Sequence, residues 1–434
     1  MESSDTGLRR EVGLAGAVLL GLGSMVGTGV FVSIGIAAGV AGPSLLAATV
    51  LAALVATANG LASAQLAAAH PVSGGTYEYG YVWLSPAFGF TAGWMFLLAK
   101  SASAATAALG FGGYLLDLVG TGSHTLRIAV AAAGTLMVTA LVAGGIRRSN
   151  MGNAVIVGIT VTALALLVVL SVPTVLSDGL QNFTPFLPSD SGAGGYAGLL
   201  HGAALMFVAF TGYGRIATLA EEVREPRRVI PPAVILTMAV VSALYLGIAF
   251  AGVGVMGAAA FGAAAERTAA PLESLARMLD APLLAPLIAV AAVTAMAGVL
   301  LNLVLGLSRV LLAMARRGDA PGVFKRIGRA HGSPVAAVWA CGLTVAGVAL
   351  IGDVRVTWSF SAFTVLLYYG ITNLAALRLP AERRLFPRGI PAAGLLGCVG
   401  LAFWVEPRVW LVALGLLGAG LVGHHLRRRQ KERA

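Results

Sequence analysis

Apolar stretches long enough to cross a bilayer, separated by short polar and often basic segments, recur along almost the whole chain. Roughly 20 apolar residues cross the hydrocarbon core as a helix, an element that satisfies its own backbone groups there. The pattern predicts about twelve helical spans, near 13–41, 44–69, 87–118, 126–146, 152–173, 196–223, 231–256, 282–315, 334–352, 357–378, 390–405 and 408–426. Span three is long enough to be strongly tilted. The segment from His70 to Gly80 is rich in turn formers and aromatics. It is expected to be re-entrant or interfacial, with Tyr77, Tyr79, Tyr81 and Trp83 at headgroup level.

Two spans are interrupted. Gly23-Ser24-Met25-Val26-Gly27-Thr28-Gly29-Val30-Phe31 puts glycines, a serine and a threonine in the middle of span one. Glycine costs about 1 kcal/mol relative to alanine inside a helix, so the helix is weakest there. Ala209-Phe210-Thr211-Gly212-Tyr213-Gly214 does the same in span six. Each interrupted span is followed by a plain one and then a long one, and an odd number of crossings separates the two breaks. That order predicts an all-α polytopic membrane protein of 12 transmembrane helices, with a 5+5 inverted repeat and broken helices 1 and 6. The repeats would occupy 12–173 and 196–378, with two accessory helices at 389–427, all in one transmembrane domain over 1–434. Irregular backbone at membrane depth must face protein or a watery cavity, so the breaks are the candidate binding site.

Composition agrees with this class: 58% of the 434 residues are hydrophobic and 11% charged, too apolar for a soluble protein of this length. The start of the chain is short and polar and the first apolar run too long for a signal-peptide core, so no cleaved leader is expected. Cys341 and Cys398 lie in separate apolar segments and suggest neither a disulfide nor a metal site. The net charge of +11 would fit nucleic acid if it were clustered on one face. Of 29 Lys and Arg, however, 22 fall on one side of the predicted spans and 5 on the other. That is the positive-inside bias, so the partner is anionic lipid, not nucleic acid, and both termini are expected in the cytoplasm of a cell-membrane protein.

Four stretches resemble the amino acid–polyamine–organocation (APC) superfamily of transporters. Gly23 to Phe31 is similar to its first-helix signature, and Pro71-Val72-Ser73-Gly74-Gly75-Thr76-Tyr77 to the segment before helix three. Phe207 to Tyr213 with Ala220 to Pro231 resembles helix six and its following loop, and Ser308 to Arg316 with Ser333-Pro334 the end of helix eight. The resemblance covers about 10–380 and implies a leucine-transporter-type fold and secondary amino acid transport. It also implies site residues. Backbone N–H groups from Val26 through Gly27 and Thr28 to Gly29 would hold the substrate carboxylate. Carbonyls near Ser24 and from Phe207 through Ala209 to Phe210 would hold its amine, and Met25, Thr211 and Gly212 would also belong to the substrate site. Phe210 or Tyr213 would be either an aromatic gate or core packing. Where many members carry a helix-five lysine this chain has Thr160, which with Thr294 would offer hydroxyls to sodium; each hydroxyl could instead bond its own helix.

Two cations, Lys100 and Arg215, lie inside spans, where charge is costly unless paired or solvated. Lys100 would bind and release a proton or snorkel to a vestibule. Arg215 would meet an anionic substrate group or, with Glu221 and Glu222, form an inner gate together with Arg9, Arg10 or Arg147. The expectation is amino acid import by alternating access, with a proton ahead of sodium as coupling ion and no cofactor or metal; an exchanger or sodium symporter is the alternative. No span carries paired carboxylates, a metal-ligand cluster or a nucleophile beside a base, which argues against an enzyme.

Overall fold

The computed structural model describes residues 12–72, 74–145, 150–187, 195–218, 223–328 and 333–433. The expected inner-gate residues Glu221 and Glu222, with Arg9, Arg10 and Arg147, lie outside the described residues.

The glycine cluster does break the first span. Helix α1 (Leu14–Met25) stops where Val26 leaves helical dihedrals, and the chain resumes as a π-turn at Gly29–Ser33 and α2 (Ile34–Ala41). Plain helix α3 (Leu45–Ala69) follows, then short α4 (Thr76–Trp83), long α5 (Pro86–Leu118), α6 (His124–Ala143) and α7 (Asn150–Thr174). The second break separates α8 (Tyr196–Phe210) from α9 (Gly214–Thr218) by a single 3-10 turn at Thr211–Tyr213. After it come α10 (Pro226–Met256), the short α11 (Ala258–Thr268) and α12 (Pro271–Ala276), and the long α13 (Leu284–Arg317). Helices α14 (Val335–Ala349), α15 (Val354–Leu377), α16 (Gly389–Ala402) and α17 (Pro407–Arg433) complete the chain. Among the described residues nine helical segments are long and apolar enough to cross a membrane; α1, α14 and α16 are shorter apolar helices.

Packing follows the order of the elements. α1 touches the second break and α9, α3 packs on α10, α5 on α13, and α6 on α14. Three helices that follow the first break thus each pack on a helix that follows the second. Small residues permit the close approaches, and buried polar side chains join the helices. Between α5 and α15 the hydroxyls of Ser103 and Ser361 lie 2.6 Å apart and those of Thr106 and Thr357 2.8 Å apart. Asn59 on α3 bonds Asn373 on α15.

The aromatic segment after α3 includes a short helix packed into the bundle. Tyr77 and Tyr79 are each 1% exposed, because α4 packs against α5 and α15.

Candidate functional site

Both breaks open onto one cavity of about 540 Å³. Its wall includes Ser24, Met25, Thr28 and Gly29 from the first break and Val208, Ala209, Thr211 and Gly212 from the second. α5 adds Phe96, Lys100 and Ser103, α13 adds Asn302, and α15 adds Trp358, Tyr368 and Tyr369. The cavity reaches Arg309 and Arg316, both exposed at the end of the bundle where α13 finishes. That end is its mouth.

The first break supplies donors. Val26 N–H still bonds Leu22 O at 2.8 Å, and the next backbone bonds run from Val30 and Phe31 to Gly27 O, each at 3.0 Å. The N–H groups of Gly27, Thr28 and Gly29 therefore head the second half, where the helix dipole is positive. The Thr28 hydroxyl is buried on the cavity wall and has no hydrogen-bond partner among the described residues. Glycine is needed at position 29: a Cβ there would lie 2.9 Å from both the Ala209 methyl and the Tyr245 hydroxyl. It is needed equally at 212, where a Cβ would meet Met25 Cγ at 2.5 Å and Ser24 O at 2.7 Å.

The second break supplies carbonyls, several of which already have partners. Tyr245 on α10 reaches both breaks, donating to Met25 O of the first at 2.7 Å and lying 3.2 Å from Ala209 O of the second. Tyr369 donates to Thr211 O at 3.1 Å, and Trp358 Nε1 to Leu205 O at 2.9 Å. The Thr211 hydroxyl donates to Val208 O at 2.8 Å and accepts from Lys100 Nζ at 3.0 Å. A carbonyl oxygen has two lone pairs, so these bonds hold the break open without exhausting its acceptors.

The structure thus brings Ser24, Met25, Thr28, Gly29, Ala209, Thr211, Gly212, Lys100 and Arg215 to one space. It does not bring all the expected residues there. Val26 and Gly27 are off the cavity wall, and Gly27 is held by Val299, which a Cβ would meet at 2.5 Å. Phe207, Phe210 and Tyr213 are fully buried and also off the wall. Phe207 and Tyr213 pack on Tyr369 with centroids 5.8 and 5.2 Å away, and Phe210 packs on Tyr245 at 5.0 Å. These rings support the site's frame and do not line it. Thr160 and Thr294 are likewise not on the wall: Thr160 donates to Ile156 O at 2.7 Å, while Thr294 is exposed and donates to Val290 O at 2.8 Å. Each hydroxyl serves its own helix.

Sequence reasoning missed Tyr245, Trp358, Tyr369 and Asn302. The available signal was a hydrogen-bonding side chain inside an apolar span, which needs a partner when buried.

The charged side chains on the wall are Lys100, Arg215, Arg309 and Arg316, and no carboxylate joins them among the described residues. Beside the mouth, Arg317 pairs with Glu78 at 2.7 Å and lies over the Tyr81 ring. Asp319, 6% exposed, accepts from Tyr77 at 2.7 Å and Tyr81 at 2.6 Å and faces His424 at 3.2 Å. Burial, reinforced by the hydrogen bonds to Asp319, pushes both tyrosine pKa values up. Among the described residues no group of His, Cys, Asp and Glu converges as a metal ion would require.

The opposite end is closed. Tyr114 donates to Phe31 O at 2.8 Å and accepts from Leu272 N–H at 3.2 Å, fastening α12 over the π-turn. Glu273 on α12 is 1% exposed and pairs with Arg277 at 2.8 Å; Arg277 also lies 3.6 Å from Asp117. Burial pushes the Glu273 carboxyl up to about 7, with Asp117 adding to the rise and Arg277 opposing it.

Comparison with known proteins fits this geometry. The family model described as amino acid permease matches residues 16–416. A Mycobacterium tuberculosis protein described as an uncharacterized transporter is 38% identical over 98% of this chain and 93% of its own length. A branched-chain amino acid permease of Bacillus subtilis is 28% identical over 92% of this chain and 87% of its own. Human cationic amino acid transporter 4 is 28% identical over 86% of this chain and 60% of its own. With a family match spanning nearly its whole length and two broken helices meeting at a buried cavity, the chain belongs to the amino acid permease family of the APC superfamily, a family of multi-pass membrane transporters and not of enzymes.

Proposed function

We propose that the protein imports amino acids across the plasma membrane by alternating access, in symport with protons. The observation that carries this reading is the convergence of two helix breaks on one cavity, unpaired N–H groups coming from one and carbonyls from the other. N–H groups at a positive helix end suit a carboxylate, and carbonyls suit an ammonium. The α-carboxylate would rest on Thr28 and Gly29, with the free Thr28 hydroxyl as a further donor. The ammonium would use remaining lone pairs near Ser24, Val208 and Ala209. Relatives named for branched-chain and cationic amino acids support amino acids as the class.

Basic residues concentrate at the mouth end, including Arg309, Arg316 and Arg317, so the positive-inside bias assigns that end to the cytoplasm. The described state is then inward-open, with both termini cytoplasmic and twelve helices crossing. The pairing of α3 with α10, α5 with α13 and α6 with α14 supports inverted repeats at 12–173 and 196–378, with 389–427 accessory. Lys100 is the group we assign to proton coupling, since its contact with Thr211 ties its charge to the second break. Sodium has less support, because Thr160 and Thr294 are both committed to their own helices.

The test is uptake of a labelled amino acid mixture by proteoliposomes given an inward proton gradient, an inward sodium gradient, or preloaded substrate. Proton-driven accumulation is expected. Accumulation driven only by sodium would replace the coupling ion, and transport seen only against preloaded substrate would make the protein an exchanger.

A further inference from the structure

We infer that the cargo carries a negative charge in addition to its α-carboxylate, which makes acidic amino acids the substrate class and Lys100 their counter-charge. This rests on reading the cavity as an amino acid site. Lys100 sits mid-way along α5, and among the described residues its one hydrogen-bond partner is the neutral hydroxyl of Thr211. That hydroxyl is itself engaged with Val208 O. An ammonium at this depth is costly unless an opposite charge stands beside it.

The protein's described carboxylates do not supply one. Glu78 is held by Arg317, and Asp319 by Tyr77, Tyr81 and His424, and neither residue lines the cavity. The other charges on the wall, Arg215, Arg309 and Arg316, have the same sign as Lys100. A cleft lined by one sign of charge concentrates oppositely charged solutes and repels like ones. A lysine or arginine cargo would set a second cation beside Lys100, whose described partner is a neutral hydroxyl. A leucine cargo would leave Lys100 uncompensated. A side-chain carboxylate neutralises it, while the α-carboxylate stays on Thr28 and Gly29, and the cavity has room for both.

The experiment uses wild-type proteoliposomes with labelled L-glutamate, under whichever gradient drives uptake, with unlabelled aspartate, leucine and arginine as competitors. Lys100→Arg and Lys100→Gln are run beside it, each first checked for folding by thermal melting. Saturable glutamate uptake is expected, with aspartate competing and leucine and arginine about 100-fold weaker. In exchange against preloaded glutamate, Lys100→Arg should retain glutamate affinity, though not proton-driven accumulation because arginine keeps its proton. Lys100→Gln should lose about 100-fold in apparent affinity, as expected when a buried charge loses its partner. Leucine or arginine competing as well as glutamate, or glutamate affinity unchanged in folded Lys100→Gln, would overturn the assignment and leave amino acid transport standing. Uptake of none of these, nor of a complete amino acid mixture, under any gradient or preloading would overturn both. Because the competition panel uses wild type alone, a variant that fails to fold leaves it decisive.

Discussion

The hydroxyl of Tyr245 donates to the carbonyl oxygen of Met25 at 2.7 Å, capping the last turn before the first helix break. The same hydroxyl lies 3.2 Å from Ala209 O at the second break. One buried side chain therefore fixes the spacing of the two interrupted helices. Removing it in Tyr245→Phe leaves two buried carbonyls without that donor. The expected cost is about 1–3 kcal/mol, read as a lower melting temperature in detergent, with a fall in transport. Unchanged melting would remove Tyr245 from the frame.

Close approach at Gly212 gives a sharper test. Gly212→Ala sets a methyl against Met25 and the Ser24 carbonyl, and overpacking of this kind costs about 1–3 kcal/mol. Uptake should drop by an order of magnitude. Gly158→Ala is the control: nothing lies within 4 Å of its Cβ, and the change should be neutral or stabilise by about 0.5–1 kcal/mol.

Asp319 joins α4, the end of α13 and α17 through Tyr77, Tyr81 and His424. Asp319→Asn turns one accepting oxygen into a donor facing groups that also donate. A destabilisation of about 1–3 kcal/mol is expected, with faster hydrogen exchange in α17 and α4. Exchange accelerated elsewhere and not in these helices would contradict the linkage.

Glu273 gives the closed end a pH dependence of definite sign. Its carboxyl is raised from 4.5 to about 7 by burial, so between those values the folded protein binds more protons than the unfolded chain. Stability from this residue is therefore present below the window and falls as pH rises through it. Glu273→Gln should flatten that slope in melting curves taken at the two ends of the window.

The breaks themselves were legible because their cause is local: glycine at 23, 27, 29, 212 and 214 weakens the helix in which it sits. What holds them was not. Tyr245 lies 220 residues from Met25, and Tyr369 lies 158 from Thr211, so only folding pairs them. Lys100 was identifiable as a charge in an apolar span, but its contact with Thr211 depends on how α5 rotates against the second break. In the same way the orientation of α13 leaves Thr294 exposed, and that of α8 sets Phe210 against Tyr245 off the cavity wall. Burial of Tyr77 and Tyr79 was not legible either, because it depends on the packing of α4 under α5 and α15.

The most direct measurement is substrate protection of a thiol at the first break. Cys341 and Cys398 are buried, so Ser24→Cys adds the accessible thiol among the described residues. A membrane-impermeant maleimide applied to inside-out vesicles should label Ser24→Cys through the mouth at Arg309 and Arg316, and saturating amino acid substrate should slow that labelling. Labelling that proceeds at the same rate with and without any transported amino acid would contradict the account, since the cavity between the breaks would then not be where the cargo rests.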